Sequence, residues 1–416
     1  MLTVTPKINY SQTNSSFSNR KGAAFSTSDF EANKFIKPMA KDSFSRVNFK
    51  GYVPSAHNVE GIERIYKLLE NLTKSRLMRR KPKIAIVAHS GPDADAFCSS
   101  ILFKRMIKEA VGADADVIID KPVPKNFRPF YRRGEVRVVQ EKLGLNASAE
   151  AIKNHFGVYD AVFCLDTAEK RLFDKGIYEG IVAPASNVVK IDHHLVDSAR
   201  AGDFNYGHVS LIDTSQNSTG HLLMQFVDAL GIKQAGQKFR KMSDLIAATI
   251  HGDTYFLQHA GDAAIKDMEE LAKISDTKKI EEQLKRMTSG ERMVINLLKR
   301  NTKQNGRVIY SVFDSTGTDL TKSSVDKSTG TFVDYVLGKQ KPEVAFVVRR
   351  LPDGQVHAAL RSENGSAYDI ASVLGGGGRP NASGVHFSSE TSLDEAAGRI
   401  LQQIELSCPE QPRIAC

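Results

Sequence analysis

The sequence predicts an α/β protein in which a doubly wound, mainly parallel sheet is joined by a helical connector to a smaller α/β domain. Short apolar runs rich in β-branched residues alternate with stretches of helical periodicity between residues 84 and 250, as in chains that form parallel sheets. A charged helical stretch separates these runs from a second group of apolar runs nearer the C-terminus. The chain has 416 residues, more than one core usually holds, so two domains are expected.

The first domain is predicted to begin with an amphipathic helix from Val59, because apolar residues recur there at helical spacing. Strands are then predicted at 84–88, 116–120, 136–139, 160–165, 187–191 and 209–212. Helices are predicted at 96–111, 149–156 and 220–230, and the apolar run 245–250 also has helical character. Asn217, Ser218 and Thr219 are residue types that cap a helix, so they support a helix start near residue 220.

The second domain follows a highly charged helical stretch at 262–300, which is predicted to connect the two domains. Strands are predicted there at 307–313, 343–349, 356–361 and 385–387, and helices at 332–337, from Tyr368, and at 393–406. Pro352-Asp353-Gly354 is a turn sequence that joins two of these strands. The predicted boundaries are therefore 59–261 for the first domain, 262–300 for the connector and 301–416 for the second domain.

Residues 1–58 are rich in Ser, Asn and Lys and show no sustained apolar period. They are predicted to be a disordered or loosely ordered extension. They lack the apolar segment of a secretory signal, and no apolar run in the chain approaches the roughly 18 residues that span a bilayer. The four cysteines show no metal-binding spacing, which is typical of a reducing compartment, so a cytoplasmic protein without a membrane partner is expected.

Polar side chains follow several of the predicted apolar elements. His89, Asp93 and Asp95 come after the first strand, and Asp166 follows the fourth predicted strand. Asp192-His193-His194 follows the strand 187–191, and Asp253 follows the apolar helical run. The carboxyl ends of parallel strands are where open α/β sheets bind ligands. Carboxylates that converge there repel one another unless a cation neutralises them, so the pattern predicts a metal site.

These motifs resemble those of a known family. HSGPDADA, LDT, IDHH and GDT, in this order and spacing, are similar to the four metal motifs of the DHH phosphoesterases. The resemblance runs from about Val59 to the C-terminus, and GGGGRPNASG at 375–384 resembles the glycine-rich signature of the DHH-associated C-terminal domain. In length and layout the chain is most similar to the oligoribonuclease and pAp-phosphatase (nanoRNase) branch.

The resemblance implies a centre of two metal ions. One ion would be held by His89, Asp93 and Asp166, and the other by Asp95, Asp166, His193 and Asp253, with Asp166 bridging. Aspartate and histidine without thiolates suit Mn²⁺ above all, and also Mg²⁺. The ions would acidify a shared water that attacks phosphorus.

The catalytic residues implied by the resemblance are Asp166, Asp192, His193 and His194. Asp192 is expected to orient His193 as a hydrogen-bond partner. Adjacent residues in extended chain face opposite ways, so His194 is expected to point away from His193 and to contact the phosphate.

The resemblance places substrate contacts in the second domain as well, across an interdomain cleft. The expected contacts are His194, Arg361, Ser362, Gly376, Gly377, Gly378, Arg379 and Asn381. Glycines let backbone N–H groups approach an anion closely. This chain departs from the family at Arg379, where relatives carry His, and at His221, where relatives often carry Glu.

The predicted function is that of a Mn²⁺-dependent phosphoesterase that hydrolyses short oligoribonucleotides to mononucleotides and pAp to AMP. The net charge of +9 favours such polyanionic partners. The alternatives are a RecJ-like single-strand exonuclease, a cyclic- or linear-dinucleotide phosphodiesterase, and a non-catalytic nucleotide-binding module. The sequence leaves open whether the protein forms a homodimer, and whether it acts on RNA or DNA.

Overall fold

The computed structural model describes residues 56–74, 80–194, 201–230, 232, 236–258, 260–287, 289–314, 329–337, 342–351 and 354–407. The extension predicted at 1–58 lies outside the described residues up to residue 55, as do Pro352 and Asp353 of the predicted turn. In the described part of the chain, none of the helices combines the length and the apolar character needed to cross a membrane. Cys98 and Cys164 are buried free thiols.

The first domain is built on a sheet of six parallel strands, which confirms the doubly wound class. The strands are β1 (Ile84–Val87), β2 (Ala115–Ile119), β3 (Val136–Val138), β4 (Ala161–Leu165), β5 (Val188–Asp192) and β6 (Val209–Ile212). Their order is β3-β2-β1-β4-β5-β6, and every neighbouring pair is parallel. The chain winds outward from β1 to β3 and then outward from β4 to β6 on the other side. The direction reverses between β1 and β4, and ligands bind at such a switch point.

Helices cover both faces of this sheet because the strand residues are apolar on both sides. The helices are α1 (Ala56–Lys74), α2 (Ala94–Val111), α3 (Val139–Leu143), α4 (Ala149–Phe156), α5 (Lys175–Ile177), α6 (Ala201–Phe204), α7 (Thr219–Ala229) and α8 (Gly236–Asp253). In β1, Ile84 and Ile86 pack in a core with α1, α2, α7 and α8, whereas Ala85 and Val87 pack in a core with α3, α4 and α5. Because β1 and β4 are parallel neighbours, the loops that follow them lie at the same edge of the sheet.

The stretch predicted to connect the domains contributes to both cores. It contains α9 (Asp262–Ala272), α10 (Thr277–Leu284) and α11 (Ser289–Arg300). Apolar residues of α9 and α10 pack in the first domain's core, whereas Val294, Ile295 and Leu298 of α11 pack with residues of the second sheet.

The second domain has a mixed six-stranded sheet with helices on both faces. Its strands are β7 (Lys303–Asn305), β8 (Val308–Asp314), β9 (Val344–Arg350), β10 (Val356–Ser362), β11 (Gly377–Arg379) and β12 (Ala382–Phe387). The order is β11-β12-β10-β9-β8-β7; β8 and β9 are parallel and the other pairs antiparallel. One face packs α11 and α12 (Thr329–Leu337), and the other packs α13 (Ala367–Val373) and α14 (Leu393–Ser407). The short strands β7 and β11 were not predicted, because Lys303–Asn305 is wholly polar and Gly377–Arg379 is mostly glycine.

Candidate metal centre

The loop after β1 carries His89 and is held by an aspartate at the end of β2. Ser90 Oγ donates to Asp120 Oδ2 at 2.5 Å, and the Gly91 N–H donates to Asp120 Oδ1 at 2.9 Å. Gly91 has φ +60°, a value that glycine adopts without strain. Asp120 therefore fixes the turn that directs His89 into the sheet edge, a role that the sequence analysis did not assign.

Asp93 and Asp95 lie at the start of α2 and have different surroundings. Asp93 is the N-cap residue, and its Oδ1 accepts from the Ala96 N–H at 3.0 Å. Asp95 is fully buried and accepts from two backbone amides at the start of α7: from Thr219 N–H at 2.6 Å and from Gly220 N–H at 3.0 Å. An N-terminal turn of a helix favours a negative charge, so these two amides of α7 hold the Asp95 carboxyl group in place.

Asp166 ends β4 at the centre of the cluster. Its φ is +54°, in the left-handed region that aspartate adopts more readily than most residues, and its backbone N–H bonds Ile191 O at 3.0 Å. Asp166 Oδ2 lies 3.8 Å from His89 Nε2, and Oδ1 lies 3.7 Å from His193 Nε2. The sheet pairing therefore holds a strained backbone so that one carboxylate reaches both imidazoles.

The two adjacent histidines do not point in opposite directions, and that expectation was wrong. Strand β5 ends at Asp192, so the chain is no longer extended at the histidines. Their ring centroids lie 4.4 Å apart, and both rings approach Asp166 Oδ1, at 3.7 Å for His193 Nε2 and 3.3 Å for His194 Nδ1.

The expected contact between the Asp192 carboxylate and the His193 ring is replaced by a different arrangement. Asp192 Oδ1 accepts from the backbone N–H groups of both histidines, at 2.6 and 2.9 Å, and lies 2.8 Å from His194 Nδ1. His193 Nδ1 instead lies 3.0 Å from Gln216 O, in the loop after β6. Asp192 thus positions the His194 ring, and Gln216 positions the His193 ring. The His194 side chain is 38% exposed, so it faces the open side of the cluster.

Asp253 is the last residue of α8, and its Oδ2 lies 3.1 Å from His193 Nε2. The preceding Gly252 brings the end of α8 against the start of α2, since a Cβ there would lie 2.7 Å from Ala94 Cβ. The absence of a side chain at this position lets Asp253 and Asp95 approach the same histidine.

Oxygen and nitrogen donors converge in three overlapping groups whose ligand atoms lie within 4.8 Å of one another. The groups are His89, Asp93 and Asp166; Asp95, His193 and Asp253; and Asp166, Asp192, His193 and His194. All six predicted metal ligands are therefore brought together. Oxygen and imidazole ligands without sulfur fit a hard or borderline divalent cation.

The electrostatics of the cluster also fit a bound cation. Burial raises the pKa of Asp95 well above its ordinary value, and the neighbouring charges of Asp166 and Asp253 raise it further. Burial by itself would lower the pKa of His89, but Asp93 and Asp166 outweigh it and raise that pKa to about 9. The second Asp192 oxygen, Oδ2, is buried and has no hydrogen-bond partner within the described part of the chain. A site with this excess of negative charge favours a cation.

The residues predicted to contact substrate in the second domain have varied surroundings. Arg361 is engaged by Asp334, with Nε–Oδ1 at 2.9 Å and Nη2–Oδ2 at 3.2 Å. Ser362 Oγ accepts from the Ala367 N–H at 2.9 Å, and Asn381 O accepts from the Ser362 N–H at 3.1 Å. Ser362 and Asn381 therefore join β10 to the glycine-rich segment.

The glycine-rich segment is partly a strand rather than a loop. Gly377 and Gly378 belong to the edge strand β11 and pair with β12. A Cβ at Gly376 would lie 2.1 Å from Gly384 O, so the backbones are in direct contact. The backbone of Arg379 pairs with Ala382, and its side chain lies outside the described part of the structure.

His221 faces away from the ligand groups and into the first domain. Its Nε2 lies 2.6 Å from Asp267 Oδ2 on α9, and both residues are buried. His221 therefore links α7 to α9. Thr219 is marked in the sequence as a capping residue. Asp120 was predicted to be part of the strand 116–120, and Gln216 acts through its backbone carbonyl, which no side-chain pattern reveals.

Two sequence families match the chain. The N-terminal domain of the DHH family matches residues 83–250, and the DHHA1 domain matches residues 305–406. The chain contains a DHH domain and a DHHA1 domain.

The chain is also similar to several known proteins. The chain is 26% identical to the bifunctional oligoribonuclease and PAP phosphatase NrnA of Thermus thermophilus, over 77% of this chain and 89% of that protein. The fold is similar to that of an exopolyphosphatase-related protein from Bacteroides fragilis, with TM-score 0.67 and 18% identity over 84% of this chain and 96% of that one. RecJ of Thermus thermophilus, solved with Mn²⁺, has TM-score 0.48 and 14% identity over 85% of this chain and 55% of that chain.

Proposed function

We propose that this protein is a Mn²⁺-dependent phosphoesterase that hydrolyses short oligoribonucleotides to mononucleotides and pAp to AMP. The observation that carries the proposal is the meeting of overlapping carboxylate and imidazole groups at Asp166, at the switch point of the parallel sheet. The substrate class is supported by the similarity to NrnA over most of both chains. We also propose that the protein is cytoplasmic.

Six side chains would hold two divalent cations. His89, Asp93 and Asp166 form one ligand group. Asp95, His193 and Asp253 form the other, in which His193 Nε2 lies 3.7 Å from Asp166 Oδ1. When bound, the cations would polarise a phosphoryl oxygen and acidify a water. Backbone groups would keep two of the ligands in orientation. The amides of Thr219 and Gly220 hold Asp95, and the carbonyl of Gln216 holds His193.

His194 would contact the transferring phosphate. Its Nδ1 lies 2.8 Å from Asp192 Oδ1, and its partly exposed ring faces the open side of the cluster. Burial opposes protonation of His194, but contacts with Asp166 and Asp192 raise its pKa well above the ordinary value. A protonated imidazole there donates to a phosphate oxygen and stabilises charge that develops on it.

The test is hydrolysis of a series of substrates by the purified protein with Mn²⁺. A 5′-phosphorylated dinucleotide, a pentanucleotide, pAp and a long single strand are supplied separately, and released mononucleotide or phosphate is measured. We expect rapid hydrolysis of the dinucleotide and pAp, slower hydrolysis of longer RNA, and no hydrolysis with EDTA. Faster hydrolysis of the long strand would favour the RecJ-like alternative, and hydrolysis of none would refute the proposal.

The variant Asp166→Asn tests the central carboxylate. Asparagine tolerates the left-handed backbone that alanine disfavours, so the fold should be retained. Removing one like charge from a buried cluster should leave Tm equal or higher while turnover is abolished. Asp262→Asn, at an exposed position in the first turn of α9, is the matched control and should keep wild-type activity. Near-normal turnover by Asp166→Asn would contradict the assignment.

A further inference from the structure

Three basic side chains form a row across the sheet of the DHHA1 domain. Arg349 on β9 pairs with His357 on β10, and His357 pairs with His386 on β12. Residues that pair across strands project from the same face, so the three side chains are neighbours. The two imidazole ring centroids lie 4.4 Å apart. His386 is exposed and His357 half-buried, so the row runs from the surface inward to Arg349.

Arg349 is a buried cation. The residue is 6% exposed, and its buried Nε has no hydrogen-bond partner among the residues that the structure describes. Its guanidinium lies 5.4 Å from the ring centroid of Phe332, and such a contact offsets part of the cost of desolvation. Within the described parts of the chain no carboxylate pairs with Arg349, and burial lowers the pKa of its guanidinium. A buried charge without a partner destabilises a fold, so its presence indicates a role in binding.

Two other arginines of the same sheet have hydrogen-bond or ion-pair partners for their guanidinium groups. Arg350 Nη1 donates to the carbonyls of Gly354 and Ser389, both at 2.9 Å, and Nε lies 3.7 Å from Asp314. Arg361 is paired with Asp334. Arg349 differs from both, because the described residues around it supply an aromatic ring but no carboxylate.

His357 lies between Arg349 and the glycine-rich edge of the sheet. Burial, together with the nearby His386 and Arg349, lowers the pKa of His357 to about 3, so its imidazole is neutral at physiological pH. A neutral imidazole still donates one N–H. Its Nε2 lies against Gly384, where a Cβ would be only 3.1 Å away, and Gly384 pairs with Gly377 of β11. The imidazole of His357 therefore lies directly against the backbone of β12, beside the glycine-rich strand β11.

We propose that Arg349, His357 and His386 form a phosphate-binding site. A guanidinium presents N–H donors in a planar fork that matches phosphate oxygens, and two imidazoles beside it add further donors. The ligand is a phosphate group, borne either on a nucleotide or by free inorganic phosphate. The site requires no metal ion and no turnover, so it does not depend on the proposed function.

Binding is measured by titration calorimetry with EDTA present, so that the metal centre contributes neither cations nor hydrolysis. The probes are inorganic phosphate, pAp and adenosine, and the proteins are wild type, Arg349→Met and Arg350→Met. We expect Arg349→Met to weaken binding of the phosphate-bearing probes by roughly tenfold or more, as for loss of a charged hydrogen bond. Binding of adenosine should be the same in all three proteins. A loss confined to pAp would identify the nucleotide as the source of the phosphate, and an equal loss for inorganic phosphate would identify the free ion.

Thermal unfolding separates this role from a structural one. Arg349→Met should raise Tm, because it removes an unpaired buried charge at similar volume, whereas Arg350→Met should lower Tm because it breaks satisfied contacts. His386→Gln, at the exposed rim, should fold normally and weaken phosphate binding severalfold. Phosphate and pAp affinities within twofold of wild type in both Arg349→Met and His386→Gln would overturn the proposal.

Discussion

Two buried carboxylates of the metal centre, Asp95 and Asp166, depend on donors from the first turn of α7. Asp95 receives the backbone amides of Thr219 and Gly220, and Asp166 Oδ1 receives the Thr219 hydroxyl at 3.0 Å. Thr219 is thus the one residue that bonds both carboxylates among those described. Partners of this kind orient metal ligands and tune their affinity for the ion.

At the residue scale, Thr219→Val should therefore weaken the centre without unfolding the protein. Valine has nearly the same shape and keeps the backbone N–H to Asp95, but it removes the hydroxyl donor to Asp166. We expect Mn²⁺ affinity or kcat to fall about 10- to 100-fold. The measurement is a Mn²⁺ titration of activity, accompanied by a direct metal-binding isotherm.

The matched control is Thr214→Val, at an exposed position in the loop between β6 and α7, and this variant should behave as wild type. A Thr219→Val protein with unchanged Mn²⁺ affinity and kcat would show that the hydroxyl merely fills space beside Asp166.

At the scale of elements, the centre requires α7 to lie very close to α8. A Cβ at Gly220 would lie 2.2 Å from Thr249 Oγ1 and 2.6 Å from Thr249 Cβ, distances that the two helices could satisfy only by moving apart. Thr249 Oγ1 in turn donates to Ile246 O and accepts from Ser218 Oγ. The absence of a side chain at Gly220 thus lets α7 pack close enough to α8 for the α7 amides to reach Asp95.

Gly220→Ala should consequently lower stability and activity together. Overpacking of this kind destabilises by about 1–3 kcal/mol, and separating α7 from α8 would also withdraw the amides from Asp95. Gly398→Ala is the control, because Gly398 lies in α14 with no atom within 4 Å of the added Cβ. Removing a helical glycine should stabilise the control by about 0.4–1 kcal/mol. Urea denaturation and turnover are measured for both; equal stability of the two variants would show that α7 and α8 separate without cost.

At the scale of the whole molecule, α1 closes the first domain at its far edge. Asn58 Nδ2 donates to Asp213 Oδ2 at 2.5 Å and to Gln225 Oε1 at 3.2 Å, and Asn58 is buried. Asp213 belongs to the loop that also contains Gln216, whose carbonyl contacts His193. The start of α1 is therefore joined to the loop that supports the metal centre.

Two truncations are predicted to differ for this reason. Deleting residues 1–55 should change Tm and the turnover of short substrates little, as the sequence of that segment predicts. Deleting residues 1–58 should lower Tm, because it leaves the buried Gln225 without the Asn58 amide, and an unsatisfied buried group costs about 1–3 kcal/mol. Thermal unfolding of the two proteins and of Asn58→Ala decides the matter. A large loss on deleting residues 1–55 would mean that the N-terminal segment stabilises the body.

The sequence by itself predicted the fold class and the polar residues that follow the apolar elements, and the resemblance to the DHH phosphoesterases implied which six of them are ligands. Strand periodicity and polar residues at strand ends are local features, and a parallel sheet gathers its carboxyl ends at one edge. His89, Asp95 and Asp166 could thus be singled out before any contact was known.

Only the tertiary structure decided how the ligands are held and that Arg349 has no acidic partner among the described residues. The bond from the Thr219 amide to Asp95 joins residues 124 positions apart, and packing of α7 on α2 and α8 creates it. The His194 orientation depends on where β5 ends, and the isolation of Arg349 depends on the register of β9 with β10. Local patterns specify which face or end of an element a residue occupies. Which distant group it meets there is fixed by packing and register, because these satisfy buried polar groups across the whole molecule.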